Sequence, residues 1–285
     1  MKNKFLVPIV TPFKANETVD YEALKTLTKK LLNDGADGIY ASGSSAECFL
    51  LSEEERRKTL EAVIEAADGA YVVAHVGNIG TKNSVALARH AKAAGADAIA
   101  SVPPFYFNFP FEGILDYYRR LAETALPVIV YSLPSATRKL TIDEYRRLLS
   151  LSGVIGLKFT DSDYFTMERI VTETGADVYS GKDECFLSAL AAGAKGAIGT
   201  TFNFMLDKYL EIYRLFKAGK TAEALEIQSS ANAATECVLE NIMPATKYLI
   251  KLRYGIDCGN ARRPFLPLSE AHKRKLDEIA AKLFK

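Results

Sequence analysis

The sequence has almost no net charge. Its 285 residues carry 36 Lys and Arg against 35 Asp and Glu, a formal +1 at pH 7. A nucleic-acid or basic membrane-binding surface needs an excess of positive charge on one face, so neither partner is indicated. Cysteine is scarce. Cys48, Cys185, Cys237 and Cys258 form no CxxC pair and no disulfide-like framework, and they read as reduced thiols of a cytoplasmic protein. Histidine is scarcer still, with only His75, His90 and His272, and no HxH or HExxH. His90 falls mid-helix and His272 in a C-terminal helix, so the three cannot converge on one ion, and zinc-dependent aldol chemistry is disfavoured. His75 ends a strand and is read as structural, with a partner of its own. No segment approaches eighteen consecutive apolar residues. The N-terminal run over 5–10 is broken by Pro8 and stopped by Thr11-Pro12, too early for a signal-peptide core. GxGxxG and GxxxxGK[ST] are both missing, and the first strand leads into Thr11-Pro12-Phe13, so dinucleotide and P-loop readings are disfavoured.

What is present is a globular composition, 48% hydrophobic and 25% charged, in an alternating pattern. Short runs rich in Val, Ile and Tyr predict strands over 5–10, 38–41, 71–76, 98–102, 128–131, 154–158, 177–180 and 197–199. Amphipathic stretches between them predict helices over 21–33, 53–67, 84–94, 111–125, 142–150, 164–174, 184–192 and 204–217. Ser52 with Glu55, and Thr141 with Glu144, fit capping boxes. Gly35, Gly95 and Gly193 stand where a helix stop needs positive φ. Eight βα units are the count of an α/β (β/α)8 TIM barrel, whereas a doubly wound sheet usually has five or six strands. Three further helices, over 221–239, 243–254 and 269–284, follow without another strand. The division is a catalytic barrel over 1–220 and a C-terminal three-helix extension over 221–285.

Barrel enzymes place their chemistry at the C-terminal ends of the strands. Lys158 ends the sixth strand, so an amine sits where a strand meets the barrel mouth. It is either an imine-forming nucleophile or a lysine that reaches solvent or pairs with Asp161 or Asp183. At an ordinary lysine pKa only about one amine in a few thousand is neutral at pH 7, so a nucleophile needs a partly desolvated site. Tyr131 ends the neighbouring strand and could shuttle protons to an imine carbon or a substrate oxygen, or simply pack in the mouth. Ser44 and Ser45 follow Gly43 in a turn that can hold a carboxylate, or form an ordinary Ser-rich loop. Gly181, Asp183 and Glu184 bring carboxylates to the seventh strand end, although Asp183 could equally be a helix N-cap.

The runs Gly43-Ser44-Ser45-Ala46-Glu47, Tyr131 and Gly156-Leu157-Lys158-Phe159-Thr160 resemble the dihydrodipicolinate synthase / N-acetylneuraminate lyase family over essentially the whole chain. The resemblance implies a (β/α)8 barrel with C-terminal helices, usually assembled as a homotetramer, a dimer of dimers. It implies that Lys158 forms a Schiff base with pyruvate or another 2-keto acid, with no metal or nucleotide cofactor. It implies further that Tyr131 is the acid/base, that Ser44 and Ser45 hold the carboxylate, and that Tyr106 joins a hydroxyl relay with Ser45 and Tyr131, often across a subunit interface. The synthase branch places an arginine soon after the tyrosine, where this chain has Ala136, and Arg138 comes two residues late. The segments at 104–107, 167–170, 181–184 and 199–203 are similar to the sialic acid lyase branch. In that branch Thr160, Gly181, Asp183, Glu184 and Thr200 are implied to contact a sugar-acid substrate. Ala46 and Ser132 depart from the family's usual glycine and asparagine. The expected activity is cleavage of N-acetylneuraminate to N-acetylmannosamine and pyruvate. The alternatives are aldol cleavage of another 2-keto-3-deoxy sugar acid, dihydrodipicolinate synthesis, and a non-catalytic 2-keto-acid sensor. The partners are small molecules.

Overall fold

A computed structural model describes residues 4–284. Eight strands run in chain order around one parallel sheet. They are β1 (Leu6–Pro8), β2 (Gly38–Ala41), β3 (Tyr71–His75), β4 (Ala98–Ser101), β5 (Val128–Ser132), β6 (Val154–Phe159), β7 (Asp177–Ser180) and β8 (Gly196–Ala197). A parallel bridge between Phe5 and Ala197 closes the ring, with the Ala197 amide donating to the Lys4 carbonyl at 2.8 Å. Eight helices alternate with the strands: α1 (Tyr21–Asn33), α2 (Glu53–Ala67), α3 (Thr81–Ala94), α4 (Phe111–Ala122), α5 (Ile142–Leu149), α6 (Tyr164–Thr174), α7 (Phe186–Ala191) and α8 (Phe202–Lys217). Then come α9 (Thr221–Leu239), α10 (Ile242–Tyr254) and α11 (Glu270–Leu283). The architecture is the (β/α)8 barrel with C-terminal helices. Among the described residues no helix is long and apolar enough to cross a membrane.

The local signals act as physical chemistry requires. Both capping boxes form, with Ser52 Oγ accepting from the Glu55 amide and Thr141 Oγ1 from that of Glu144. Each cap is worth about 1 kcal/mol to its helix. Gly35, Gly95 and Gly193 follow α1, α3 and α7 with φ of 100°, 97° and 93°.

Side chains alternate along each strand and so divide the interior. Val7, Ile39, Val72, Ile99, Val130, Leu157 and Val178 face outward and pack beneath the helices. Leu6, Tyr40, Val73, Ala98, Ala100, Ile129, Tyr131, Tyr179 and Ile198 fill the lumen in layers. Leu157 and Phe159 both belong to the outer core, so Lys158 between them turns inward. It is in register with Tyr131 on β5 and Tyr179 on β7.

Besides shifts of a few residues at helix and strand ends, such as α3 beginning at Thr81 and β8 spanning Gly196–Ala197, three details differ from the sequence reading. The first strand ends at Pro8, because the Val10 amide is taken by Asn203 Oδ1 rather than by a neighbouring strand. The loop after β2 winds into two one-turn 3-10 helices, Ser44–Ala46 and Cys48–Leu50, joined at Glu47 with φ of 57°. The expected helix over 184–192 splits into a 3-10 turn, Asp183–Cys185, and the short α7, because Cys185, the last residue of that turn, departs from α-helical geometry with φ of −125° and ψ of 19°.

Candidate active site

Lys158 is 4% exposed, and its amine lies 4.2 Å from the centre of the Tyr131 ring and 4.9 Å from that of Tyr40. Two aromatic faces therefore flank the amine. Neither carboxylate considered from the sequence pairs with it: Asp161 lies against Lys139 at 3.7 Å, and Asp183 accepts from Thr201. Among the described residues the buried amine is thus set against ring faces rather than in an ion pair. An amine in such a place can add to a carbonyl carbon, and the nitrogen is positively charged again in the iminium that follows loss of water.

The Tyr131 hydroxyl is 3.4 Å from Ser44 Oγ. Ser45 points elsewhere, and its Oγ is 2.7 Å from Thr200 Oγ1 in the loop after β8. The turn thus splits its two hydroxyls between a proton-carrying phenol and the loop after β8. Ser44 is exposed and Ser45 buried. Ala46 is wholly buried, and its carbonyl accepts from Thr11 Oγ1 at 2.9 Å.

Gly181 packs directly on the site. A Cβ there would overlap Thr160 Oγ1 and lie 3.2 Å from Lys158 Cε, so only glycine lets the strand end approach. Thr160 Oγ1 is buried without a hydrogen-bond partner among the described residues. Asp183 is 5% exposed. Its Oδ2 accepts the Thr201 amide and lies 2.8 Å from Thr201 Oγ1, while Oδ1 has no hydrogen-bond partner among the described residues. Burial pushes its carboxyl up to about 6 against the pull of the Thr201 hydrogen bonds. Glu184 is half-buried and 3.2 Å from Lys182 Nζ.

The raised Asp183 carboxyl has a testable consequence. The folded chain holds this proton more tightly than an unfolded chain, whose aspartate titrates near 3.9. Its contribution to stability is therefore complete below about pH 4 and is lost as the pH rises through about 6. Asp183→Asn carries no such titration. From pH 4 to pH 7 the wild type should lose on the order of 3 kcal/mol of unfolding free energy relative to this variant. Denaturant melts of both proteins across that range check it, and parallel curves would refute it.

His75 is a structural histidine, as its place in the sequence predicts. Burial first and the Arg56 charge second hold its pKa well below the usual imidazole range, so the ring is neutral. Nδ1 donates to the Ser42 carbonyl at 3.0 Å, and Nε2 accepts from the Val102 amide at 3.4 Å.

One expected member stands apart. Tyr106 is 85% exposed with φ of 76°, and its ring neighbour is Phe107, not Tyr131 or Ser45. Within one chain it does not join the other hydroxyls. The structure adds groups that sequence reasoning missed. Gln228 of α9 donates to the Asp183 carbonyl at 3.1 Å, and Asn232 donates to that of Glu184 at 2.9 Å. Glu47, behind the serine turn, is ion-paired with Lys247 of α10. Nothing local in the sequence marks these pairings, whose partners lie 45 to 200 positions apart.

The family profile for the dihydrodipicolinate synthetase family matches residues 1–283. This chain belongs to that family. It is 40% identical over 277 residues to the N-acetylneuraminate lyase of Rhizobium meliloti, spanning 96% of this chain and 92% of that protein. Its fold superimposes on Clostridium difficile CdNal, solved in complex with mannosamine, with a TM-score of 0.96 and 29% identity over the full length of both chains. A dihydrodipicolinate synthase from Bacillus anthracis gives a TM-score of 0.94 and 27% identity, covering 98% of this chain and 97% of that one.

Proposed function

We propose that this protein is a carbon–carbon lyase, a class I aldolase that cleaves N-acetylneuraminate to N-acetylmannosamine and pyruvate through an imine on Lys158. The observation that carries this reading is the buried Lys158 amine, flanked by Tyr131 and facing the Ser44–Ser45 turn, in a chain 40% identical to an N-acetylneuraminate lyase.

The Lys158 nitrogen adds to the C2 ketone of the open-chain sugar acid, and loss of water gives an iminium that can accept an electron pair. Ser44 and Ser45 hold the C1 carboxylate. Tyr131 takes the proton of the C4 hydroxyl as the C3–C4 bond breaks, so the aldehyde leaves and the bonding pair becomes an enamine. Return of a proton to C3 and addition of water release pyruvate and free the amine. Thr160, Gly181, Asp183, Glu184 and Thr200 line the side on which the sugar chain extends. The imine itself is the electron sink, so the reading calls for no metal or nucleotide.

The lyase reading is favoured over the synthase because the arginine position after Tyr131 is Ala136. Arg138 does not replace it, because its guanidinium is 2.7 Å from Glu144 of α5 and is committed there. We assign 1–220 to catalysis and 221–285 to supporting the mouth. The exposed aromatics Phe49, Tyr106 and Phe107 around that mouth favour burial against a second copy, in keeping with a homotetramer in which Tyr106 serves a neighbouring site. We place the protein in the cytoplasm, where its four free thiols stay reduced.

The test has two arms. Incubation with pyruvate and borohydride should add a reduced pyruvyl group at Lys158, located by peptide mass spectrometry. Incubation with N-acetylneuraminate should release equal amounts of pyruvate and N-acetylmannosamine. An unmodified Lys158 would sink the imine. A modified Lys158 with cleavage only of a different sugar acid, or with condensation of aspartate semialdehyde, would move the assignment to that substrate.

A further inference from the structure

Glu47, like Ser42, is a buried residue of the serine loop held at positive φ. It ends one 3-10 turn and begins the next with φ of 57° and ψ of 35°, a conformation unfavourable for a residue with a Cβ. Such a conformation persists only where surrounding contacts fix it. Those contacts come from the C-terminal helical extension. Glu47 Oε1 is 2.7 Å from Lys247 Nζ, with the two side chains 0% and 1% exposed. Glu47 Oε2 accepts from the Arg262 amide at 2.7 Å. The Arg262 guanidinium then grips the same loop further on, donating to the Leu50 carbonyl at 2.8 Å and to Glu55 at 2.7 Å. Lys247 Nζ and Arg262 Cζ also sit 4.2 Å and 4.5 Å from the Phe13 ring, which fastens the loop after β1 to the same cations.

A fully buried ion pair is poor evidence of stabilisation, because desolvating both charges offsets most of their attraction. Its better-attested use is to fix one geometry. Here the geometry fixed is that of the turn carrying Ser44 and Ser45, since the Glu47 amide donates to the Ser44 carbonyl at 3.0 Å.

We propose that Lys247 and Arg262 are positioning residues for the keto-acid carboxylate: through Glu47 they hold the Ser44–Ser45 turn in its binding conformation, so the C-terminal extension is part of the substrate-recognition apparatus. This role rests on the imine reading above. Neither residue touches substrate. Losing the pair should therefore weaken the capture of ketones that carry a carboxylate and leave the reactivity of the Lys158 amine intact.

The test is the full-length double variant Glu47→Gln/Lys247→Met, which leaves no unpaired buried charge, alongside the single variant Lys247→Met. Borohydride trapping is followed with pyruvate and, separately, with acetone, a ketone lacking the carboxylate. For the double variant, half-saturation by pyruvate should rise between about 10- and 100-fold, with the trapping rate for acetone within about 2-fold of wild type. Thermal melts establish that the double variant is folded, and Lys247→Met should be the less stable of the two because it strands the Glu47 charge. Wild-type trapping of pyruvate with an unchanged half-saturation in a folded double variant would overturn this role alone. An equal fall for pyruvate and acetone would also overturn it, since the defect would then lie at the amine. Wild-type protein that traps no pyruvate would overturn the imine reading and this role with it.

Discussion

Lys158→Met should abolish turnover and leave the protein at least as stable as the wild type. The two halves of this expectation come from one observation. The amine is 4% exposed and lies over the rings of Tyr40 and Tyr131, with neither Asp161 nor Asp183 paired to it. Without the amine there is no iminium to accept the electrons of the C3–C4 bond. A loss of about 10⁴-fold or more in kcat, or upwards of about 5 kcal/mol in the barrier, is the expected scale for losing a covalent electron sink. Methionine is close to lysine in length and is apolar. It can keep the aliphatic packing of the stem and remove a buried amine that has no ion pair among the described residues. The thermal midpoint should therefore hold or rise, the usual sign of a residue kept for activity at the expense of stability. Pyruvate release under saturating sugar acid, with a thermal melt of the same preparation, checks both halves. Residual activity above about one per cent of wild type would remove Lys158 from the chemistry. A large drop in midpoint would mean that the amine has an anionic partner in solution.

How far the site was legible in the sequence depends on how local its signals are. Lys158 could be found because an amine ending an apolar run violates the pattern of its own strand. Tyr131 could be found because strand order makes consecutive strand ends neighbours, and the register does pair it with Lys158. The helix boundaries at Ser52 and Thr141 were legible because a capping box is written within four residues. The division of labour between Ser44 and Ser45 was not. Which hydroxyl meets Tyr131 and which meets Thr200 depends on the 3-10 turn, set by a positive φ at Glu47 and by contacts more than 200 positions away. Gln228 and Asn232 were invisible for a similar reason. Each is an ordinary polar residue on an exposed-looking helix until the fold sets it under the carbonyls of Asp183 and Glu184. Tyr106 marks the opposite limit. Its motif is plain in the sequence, yet one chain leaves the side chain in solvent, so any contact with the site needs a second copy.

Tyr131→Phe should separate imine formation from bond cleavage. The substitution removes one oxygen and keeps the ring, whose face lies 4.2 Å from the Lys158 amine. The aromatic surroundings of the amine are thus retained, and so is the packing of a residue only 3% exposed. Pyruvate should still be trapped on Lys158 by borohydride. What is lost is the group that accepts the C4 hydroxyl proton as the C3–C4 bond breaks. A positioned acid/base is worth about 10²- to 10⁴-fold, so kcat for sugar-acid cleavage should fall by that factor. The neighbouring hydroxyl cannot take over, because Ser44 Oγ is 3.4 Å from the phenol oxygen and is a far weaker acid. Two outcomes would redistribute the roles. A fall of less than about tenfold in kcat would mean that another group or a water carries the proton. A loss of trapping equal to the loss of cleavage would place Tyr131 in the formation of the imine, where its hydroxyl would be needed to expel water from the carbinolamine. Only the predicted split, with trapping kept and cleavage lost, assigns Tyr131 to the C–C bond. That split also distinguishes it from Lys158, whose replacement removes both.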